Sequence, residues 1–180
     1  PEEEEFDFEK PDALIDFAEE NKMDVTGIPL VWHMENPEWL ENGDFSSEEL
    51  ENILENHIKT VVSRYSGRID TWTVINEGVN DDGGLRENLW FETIGEDYIE
   101  KAFRWASKYS DAELFYNEYG LPYDDVKREG VYQLLSDLLD KGVPIDGIGL
   151  QMHFIGIKAS PSQVAETIER FQELGLEVRL

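Results

Sequence analysis

Apolar residues along this chain recur in two alternating rhythms. Short apolar runs predict strands at Val25–Trp32, Ile69–Asn76, Ala112–Tyr116 and Ile145–Gln151. Between them, apolar residues return every three or four positions, as one face of a helix requires. Leu50, Leu54, Ile58, Val61 and Tyr65 make one such face. Tyr98, Ala102, Trp105 and Tyr109 make the next, and Val131, Leu134, Leu135 and Leu138 a third. Asp12–Asn21 predicts a further helix near the start, carrying Leu14, Phe17 and Ala18.

Two helix starts are marked by capping boxes. Ser46 is followed three residues later by Glu49, and Ser160 by Gln163, with Pro161 at the first helical position. Val164, Ile168 and Phe171 form the stripe of that last helix, and Gly175 is its terminating glycine. Glu177–Leu180 opens a new strand. The order is therefore helix, four strand–helix units, and a strand. Repeated βα units imply a parallel sheet with right-handed crossovers. No glycine-rich phosphate loop follows any strand, which disfavours a doubly wound nucleotide-binding sheet. The remaining candidate is a (β/α)8 barrel, which needs roughly 250 residues and eight strands. About five strands in 180 residues predict a partial barrel, about strand 3 to the start of strand 7.

Composition narrows the partners. With 41 Asp+Glu against 15 Lys+Arg the net charge is −26, spread along the whole chain. Such a chain repels phosphate backbones and anionic membrane surfaces. No apolar run approaches the ~18 residues of a membrane span. A hydrophobic content of 40% with five Trp is ample for a packed core. Cys is absent, which removes disulfides, thiolate metal sites and thiol catalysis. Dispersed like charge destabilises a compact state by self-repulsion, and salt screens it.

In a barrel the reactive groups sit at strand C-terminal ends. Here those ends read Trp32-His33, Asn76-Glu77, Asn117-Glu118-Tyr119 and Gln151-Met152-His153. Amides and imidazoles hydrogen-bond hydroxyls, and aromatic faces pack on pyranose C–H surfaces, so the ensemble suits a sugar. Taken singly, each residue has a plainer explanation: Glu77 as a surface carboxylate, His33 or His153 as a satisfied half-buried histidine. His57 lies beside an apolar stripe and is assigned to packing, as are Trp39, Trp72, Trp90 and Trp105.

At these residues the chain resembles glycoside hydrolase family 10, the endo-1,4-β-xylanases. The matching segments are Gly27-Ile28-Pro29-Leu30-Val31-Trp32-His33, Trp72-Thr73-Val74-Ile75-Asn76-Glu77, Leu114-Phe115-Tyr116-Asn117-Glu118-Tyr119 and Ile145-Asp146-Gly147-Ile148-Gly149-Leu150-Gln151-Met152-His153. They occur in the family's order, one βα unit apart. The resemblance implies endo-hydrolysis of β-1,4-xylosidic bonds by retaining double displacement. It implies Glu77 as acid/base and Asn76 as partner of the sugar 2-hydroxyl. It makes Trp32 an aromatic of the −1 subsite and Tyr119 an aromatic on the aglycone side. His33 and Asn117 become substrate-binding residues. Gln151 bonds sugar or acid/base, and His153 bonds the nucleophile. The nucleophile itself, in a Thr-Glu motif on the strand beginning at Glu177, would lie just past Leu180. Residues 1–180 are accordingly expected to be part of a single catalytic domain of this family, truncated at both ends, inactive alone and prone to aggregate at its open edges. Neither metal nor organic cofactor is implied. A xylan or xylo-oligosaccharide substrate, no nucleic-acid or membrane partner, a monomer and secretion are expected.

Four positions depart from the family pattern. Ile28 and Pro29 stand where His and Thr are usual, which removes a sugar-binding donor. Glu35 stands where Gln is common, and Glu118 where Asp is. If Glu35 points into the site, a third carboxylate would keep the acid/base protonated to higher pH. Three other readings remain open at this point. A related retaining barrel glycosidase such as a cellulase would use Asn76-Glu77 equally but leave Gln151-Met152-His153 unexplained. A non-catalytic carbohydrate-binding relative would lack the second carboxylate. A metal hydrolase on His33, His57 and His153 would need three separated elements to converge.

The charge makes its own prediction. Thermal stability and activity of the whole protein should rise or hold between ~0.1 and 2 M NaCl, because screening relieves self-repulsion. A monotonic fall across that range would refute adaptation of the surface to salt.

Overall fold

The computed structural model describes residues 5–27, 29–153 and 159–180. Ile28, one of the departures noted above, lies outside the described residues. After helix α1 (Glu9–Glu20) come strands β1 (Thr26–Gly27) and β2 (Val31–Trp32), then the short α2 (Glu38–Glu41) and the long α3 (Ser47–Arg64). Strand β3 (Thr71–Asn76) is followed by α4 (Leu89–Ile94) and α5 (Tyr98–Tyr109). Strand β4 (Glu113–Tyr119), α6 (Asp125–Asp140), β5 (Gly147–Gln151), α7 (Pro161–Gln172) and β6 (Glu177–Arg179) complete the order.

Every strand pairing is parallel, and the sheet order is β1-β3-β4-β5-β6 with β2 also on β3. Strand order thus follows chain order with no reversal. A doubly wound sheet would reverse at a switch point; a sheet that always advances is an arc of a (β/α)8 barrel.

The single strand expected over Val25–Trp32 is two short pieces on the same neighbour. Pro29 has no N–H to give the ladder, and Leu30 rejoins β3 through its own N–H to the Thr73 carbonyl, 2.9 Å. Both expected capping boxes are formed, at Ser46/Glu49 and Ser160/Gln163, and Pro161 occupies the first turn. Helix α7 ends at Gln172, earlier than expected. Gly175 instead closes the following turn at φ +81°, a left-handed conformation that suits glycine. Helix α4, starting at Asn88 and stopping at Gly95, was not legible as a separate element.

The core lies between the sheet and the helices. Leu50, Leu54, Ile58 and Val62 of α3 are fully buried, as are Ile99, Ala102, Phe103 and Ala106 of α5 and Val131 and Leu135 of α6. Helix α1, expected from Asp12, starts three residues earlier at Glu9. It buries Ile15 and Ala18 and leaves Leu14 and Phe17 exposed. Asp12 binds Arg64 and the Tyr65 hydroxyl, while Asp16 and Glu19 both bind Arg68, so the charged side of α1 faces the end of α3. His57 is satisfied, with Nε2 3.0 Å from the Leu30 carbonyl, and burial pushes its pKa down.

One irregularity positions the site. Thr71 and Thr73 stand opposite Glu113 and Phe115, so strict alternation would turn Ile75 inward with them. The register shifts between Thr73 and Ile75, and Asn76 comes opposite Asn117 instead. This bulge re-aims the last residue of β3.

The α1 contacts set an acid limit. Hydrogen bonds and charge from Arg64 hold Asp12 below the usual carboxylate range, and Arg68 does the same for Glu19. Lowered folded values mean their contribution is present above the ordinary carboxylate range and is lost as pH falls through the folded values. The melting temperature should therefore drop below about pH 4. Arg64→Ala, melted at neutral and acid pH, should show a smaller drop than the parent.

Candidate active site

Parallel strands in register present facing residues on the same side of the sheet. Trp32 is level with Asn76, Asn76 with Asn117, and Asn117 with Gly149. Three of the ends expected to carry chemistry are thereby brought to one height, and Gln151 follows two residues beyond Gly149, opposite Tyr119.

Asn76 is the hub. Its Oδ1 accepts from Asn117 Nδ2 at 2.7 Å and from Gln151 Nε2 at 3.0 Å. Both carbonyl lone pairs are then used, which fixes the amide and leaves its NH2 as the group that can donate to a ligand. Gln151 Nε2 also donates to Glu77 Oε1 at 3.1 Å, and the Trp32 indole Nε1 donates to Glu77 Oε2 at 3.1 Å. One donor on each oxygen sets the plane of the Glu77 carboxyl. Trp32 was expected as an apolar surface; it is also a donor to the carboxyl.

Glu77 sits at φ +59°. A non-glycine residue in that left-handed region costs about 1–3 kcal/mol and persists only where the surroundings hold it. Here they do. Its N–H donates to the Asn117 carbonyl at 2.9 Å, and its carbonyl accepts from Arg86 Nε at 2.7 Å. Arg86 also reaches the Val79 carbonyl at 3.1 Å and the Tyr119 hydroxyl at 3.3 Å.

The other expected residues fall into three groups. His33 packs edge-on to Trp32, with centroids 6.2 Å apart, and its buried Nδ1 has no hydrogen-bond partner among the described residues. Burial and the Arg86 charge lower its pKa against the pull of Glu77, which favours a neutral ring. Tyr119 is anchored, its hydroxyl donating to Asp81 at 2.8 Å and its ring under Lys127 Nζ at 3.2 Å. Glu35 and His153 stand apart: both are exposed, and neither makes a hydrogen bond or ion pair among the described residues. Glu35 lines a cavity beside the β1 edge together with Phe8, Trp39 and His57. Glu118 is not at the cleft. It is fully buried, and Lys127 Nζ lies 3.1 Å from its Oε1.

Arg86, Tyr116, Lys127 and Asp81 support the site and were missed. Lys127 had a signal: it stands four residues before Val131 on the buried stripe of α6, a position where a charge needs a partner. Among the described residues no group of three or more His, Asp or Glu is placed to hold a metal ion.

A one-way parallel arc with its hydrogen-bonding side chains gathered at the strand C-terminal ends is the active-site face of a barrel enzyme. Residues 1–180 match the model of glycosyl hydrolase family 10, and the chain belongs to that family. It is 46% identical over 179 residues to endo-1,4-beta-xylanase B of Thermotoga neapolitana, covering 99% of this chain and 52% of the relative. It is likewise similar to native xylanase 10B from Thermotoga maritima, with a TM-score of 0.95 and 45% identity over 99% of this chain and 55% of the other. The same values hold for xylanase 10B from Thermotoga petrophila in complex with xylobiose. The chain spans about half the length of the relatives it matches.

Glycine at 149 is required by this geometry. A Cβ there would stand 2.3 Å from Asn117 Oδ1. Gly149→Ala should push Asn117 off Asn76 and free the hub amide. Loss of activity with a small change in melting temperature is expected; full activity would show that the Asn117–Asn76 bond does not orient the site.

Proposed function

We propose that the protein cleaves internal β-1,4 bonds of xylan with retention, using Glu77 as general acid and then general base. The observation that carries this reading is the Glu77 carboxyl, fixed by Trp32 on one oxygen and Gln151 on the other, beside an Asn76 amide whose NH2 is left to donate. In this reading the proton on Glu77 passes to the departing glycosidic oxygen. The ionised Glu77 then takes a proton from the water that releases the sugar. Asn76 donates to the sugar 2-hydroxyl, a contact that strengthens as positive charge develops at the ring. Trp32, His33, Asn117, Tyr119 and Gln151 shape the sugar site. By the family pattern His153 would bond the nucleophile. Double displacement needs that second carboxylate about 5–5.5 Å from Glu77. The family pattern puts it at the C-terminal end of the strand to which β6 belongs.

The names of the relatives specify β-1,4-xylanases, and one similar structure holds xylobiose; this supports xylan as the polymer. No helix among the described residues is long and apolar enough to cross a membrane. Since xylan cannot enter a cell, we place the protein outside it, acting as a monomer within one catalytic domain.

Reducing-sugar release by the whole protein on xylan and on soluble cellulose tests the substrate. Release from xylan should dominate, and preference for cellulose would overturn it. Glu77→Gln should lower the xylan rate by ~10²–10⁴-fold, the worth of general acid–base catalysis. A near-normal rate would remove Glu77 from the mechanism.

A further inference from the structure

The N–H side of the backbone after Glu77 is held by one buried carboxylate. Glu118 Oε2 accepts from the Val79 N–H at 3.3 Å and from the Tyr116 hydroxyl at 2.8 Å. That hydroxyl in turn accepts from the Gly78 N–H at 3.0 Å. The two consecutive amides that follow the left-handed Glu77 therefore both end on Glu118, one directly and one through Tyr116. Its other oxygen, Oε1, accepts from the Tyr119 N–H at 3.2 Å and from Lys127 Nζ at 3.1 Å. Lys127 is itself fully buried and is shared with Asp81 at 3.1 Å.

We propose that Glu118 is a positioning residue for the acid/base: it fixes the Gly78–Val79 backbone and thereby the turn from which the Glu77 side chain reaches the scissile bond. The inference rests on the reading of Glu77 as acid/base. An ionised carboxylate is acceptor-only, and all four donors around Glu118 need an acceptor. Lys127 supplies the counter-charge that keeps it so in a buried layer. Arg86 holds the carbonyl side of the same turn, with bonds to Glu77 and Val79. Glu118 holds the N–H side. A displaced turn would carry the Glu77 carboxyl away from the leaving oxygen without touching the sugar contacts of Asn76 or Asn117.

A purely structural ion pair and a positioning residue differ in how the defect depends on the leaving group. A substrate with a dinitrophenolate leaving group needs no proton, whereas an alkyl or sugar leaving group does. Glu118→Gln in the whole protein should lower kcat/KM on xylohexaose by ~10–100-fold, part of the value of general acid catalysis, and on dinitrophenyl xylobioside by less than ~3-fold. Glu118→Asp keeps the charge and should recover most of the loss. Equal losses on both substrates, or no loss on either, overturn the proposal. Should Glu118→Gln fail to fold, Tyr116→Phe keeps the ring and removes the relay to Gly78. It should show a selective loss of about 5-fold on xylohexaose, the rate equivalent of one hydrogen bond. Equal effects on the two substrates would again overturn the idea. Glu77→Gln run alongside separates the two claims. If it lacks the leaving-group dependence, the acid/base reading fails. If it shows the dependence and the Glu118 and Tyr116 variants do not, only the positioning role falls.

Discussion

Parallel register is the constraint on which the rest of this structure depends. In a one-way parallel sheet, residues facing across a ladder point to the same side, so chemistry on different strands meets only if the registers agree. Here Trp32, Asn76, Asn117 and Gly149 fall on one level. The bulge in β3 is what brings Asn76 into that level. Gly149 is then small because Asn117 leans across it. The side-chain bonds from Asn117 to Asn76, and from Gln151 to Asn76 and Glu77, are short because the backbone has already aligned their origins. Outside that level the same residue types do other work: His57 braces the Leu30 carbonyl and Glu35 lies exposed beside a cavity.

Beneath this level lies a layer of buried charge. Desolvation raises the pKa of Glu118, against the pull of Lys127 and the Tyr116 hydroxyl. Burial acts to lower Lys127, yet its contacts with Tyr119, Glu118 and Asp81 leave it raised. A buried pair of this kind contributes little net stability compared with apolar packing, since desolvation offsets most of the attraction. Its links to the turn after Glu77, one direct to Val79 N–H and one through Tyr116 to Gly78 N–H, are more informative, because they brace a backbone conformation that costs energy on its own. Geometry at the Glu77 turn, as proposed above, is a better account of this ion pair than stability.

The alternation of periods made the fold class legible, because strands buried on both faces read as apolar runs and helices as stripes. Capping boxes at Ser46 and Ser160 fixed two helix starts to the residue. The strand ends named the site, since barrel geometry puts polar residues there. Three things were not legible. Pro29 split a strand whose apolar run looked continuous. The spacing of α1 did not say which of its apolar residues face the core: Ile15 and Ala18 do, while Leu14 and Phe17 are exposed. The supporting residues Arg86, Tyr116 and Lys127 were missed because their partners lie 9, 38 and 46 positions away at Glu77, Gly78 and Asp81. No local pattern encodes a contact at those separations.

The charge distribution joins these levels. The chain carries −26 overall, yet the cations Arg86 and Lys127 are drawn to the acid-bearing strand ends, where Glu77, Asp81 and Glu118 cluster. Each is spent on fixed partners: Arg86 on two carbonyls and a phenol, Lys127 on two carboxylates and a ring face. Neither is left as a free cation to attract an anion. What the cleft level offers a ligand is neutral hydrogen-bonding groups and one carboxyl, at Asn76, Asn117, Gln151, Trp32 and Glu77. Under the proposed reading, that inventory suits an uncharged polyol, and a surface charge of either sign does nothing to recruit such a ligand. The acidic exterior and the cleft therefore answer to different constraints: the cleft side chains are set by parallel register and the bonds around Asn76 and Glu77, which the net charge does not touch.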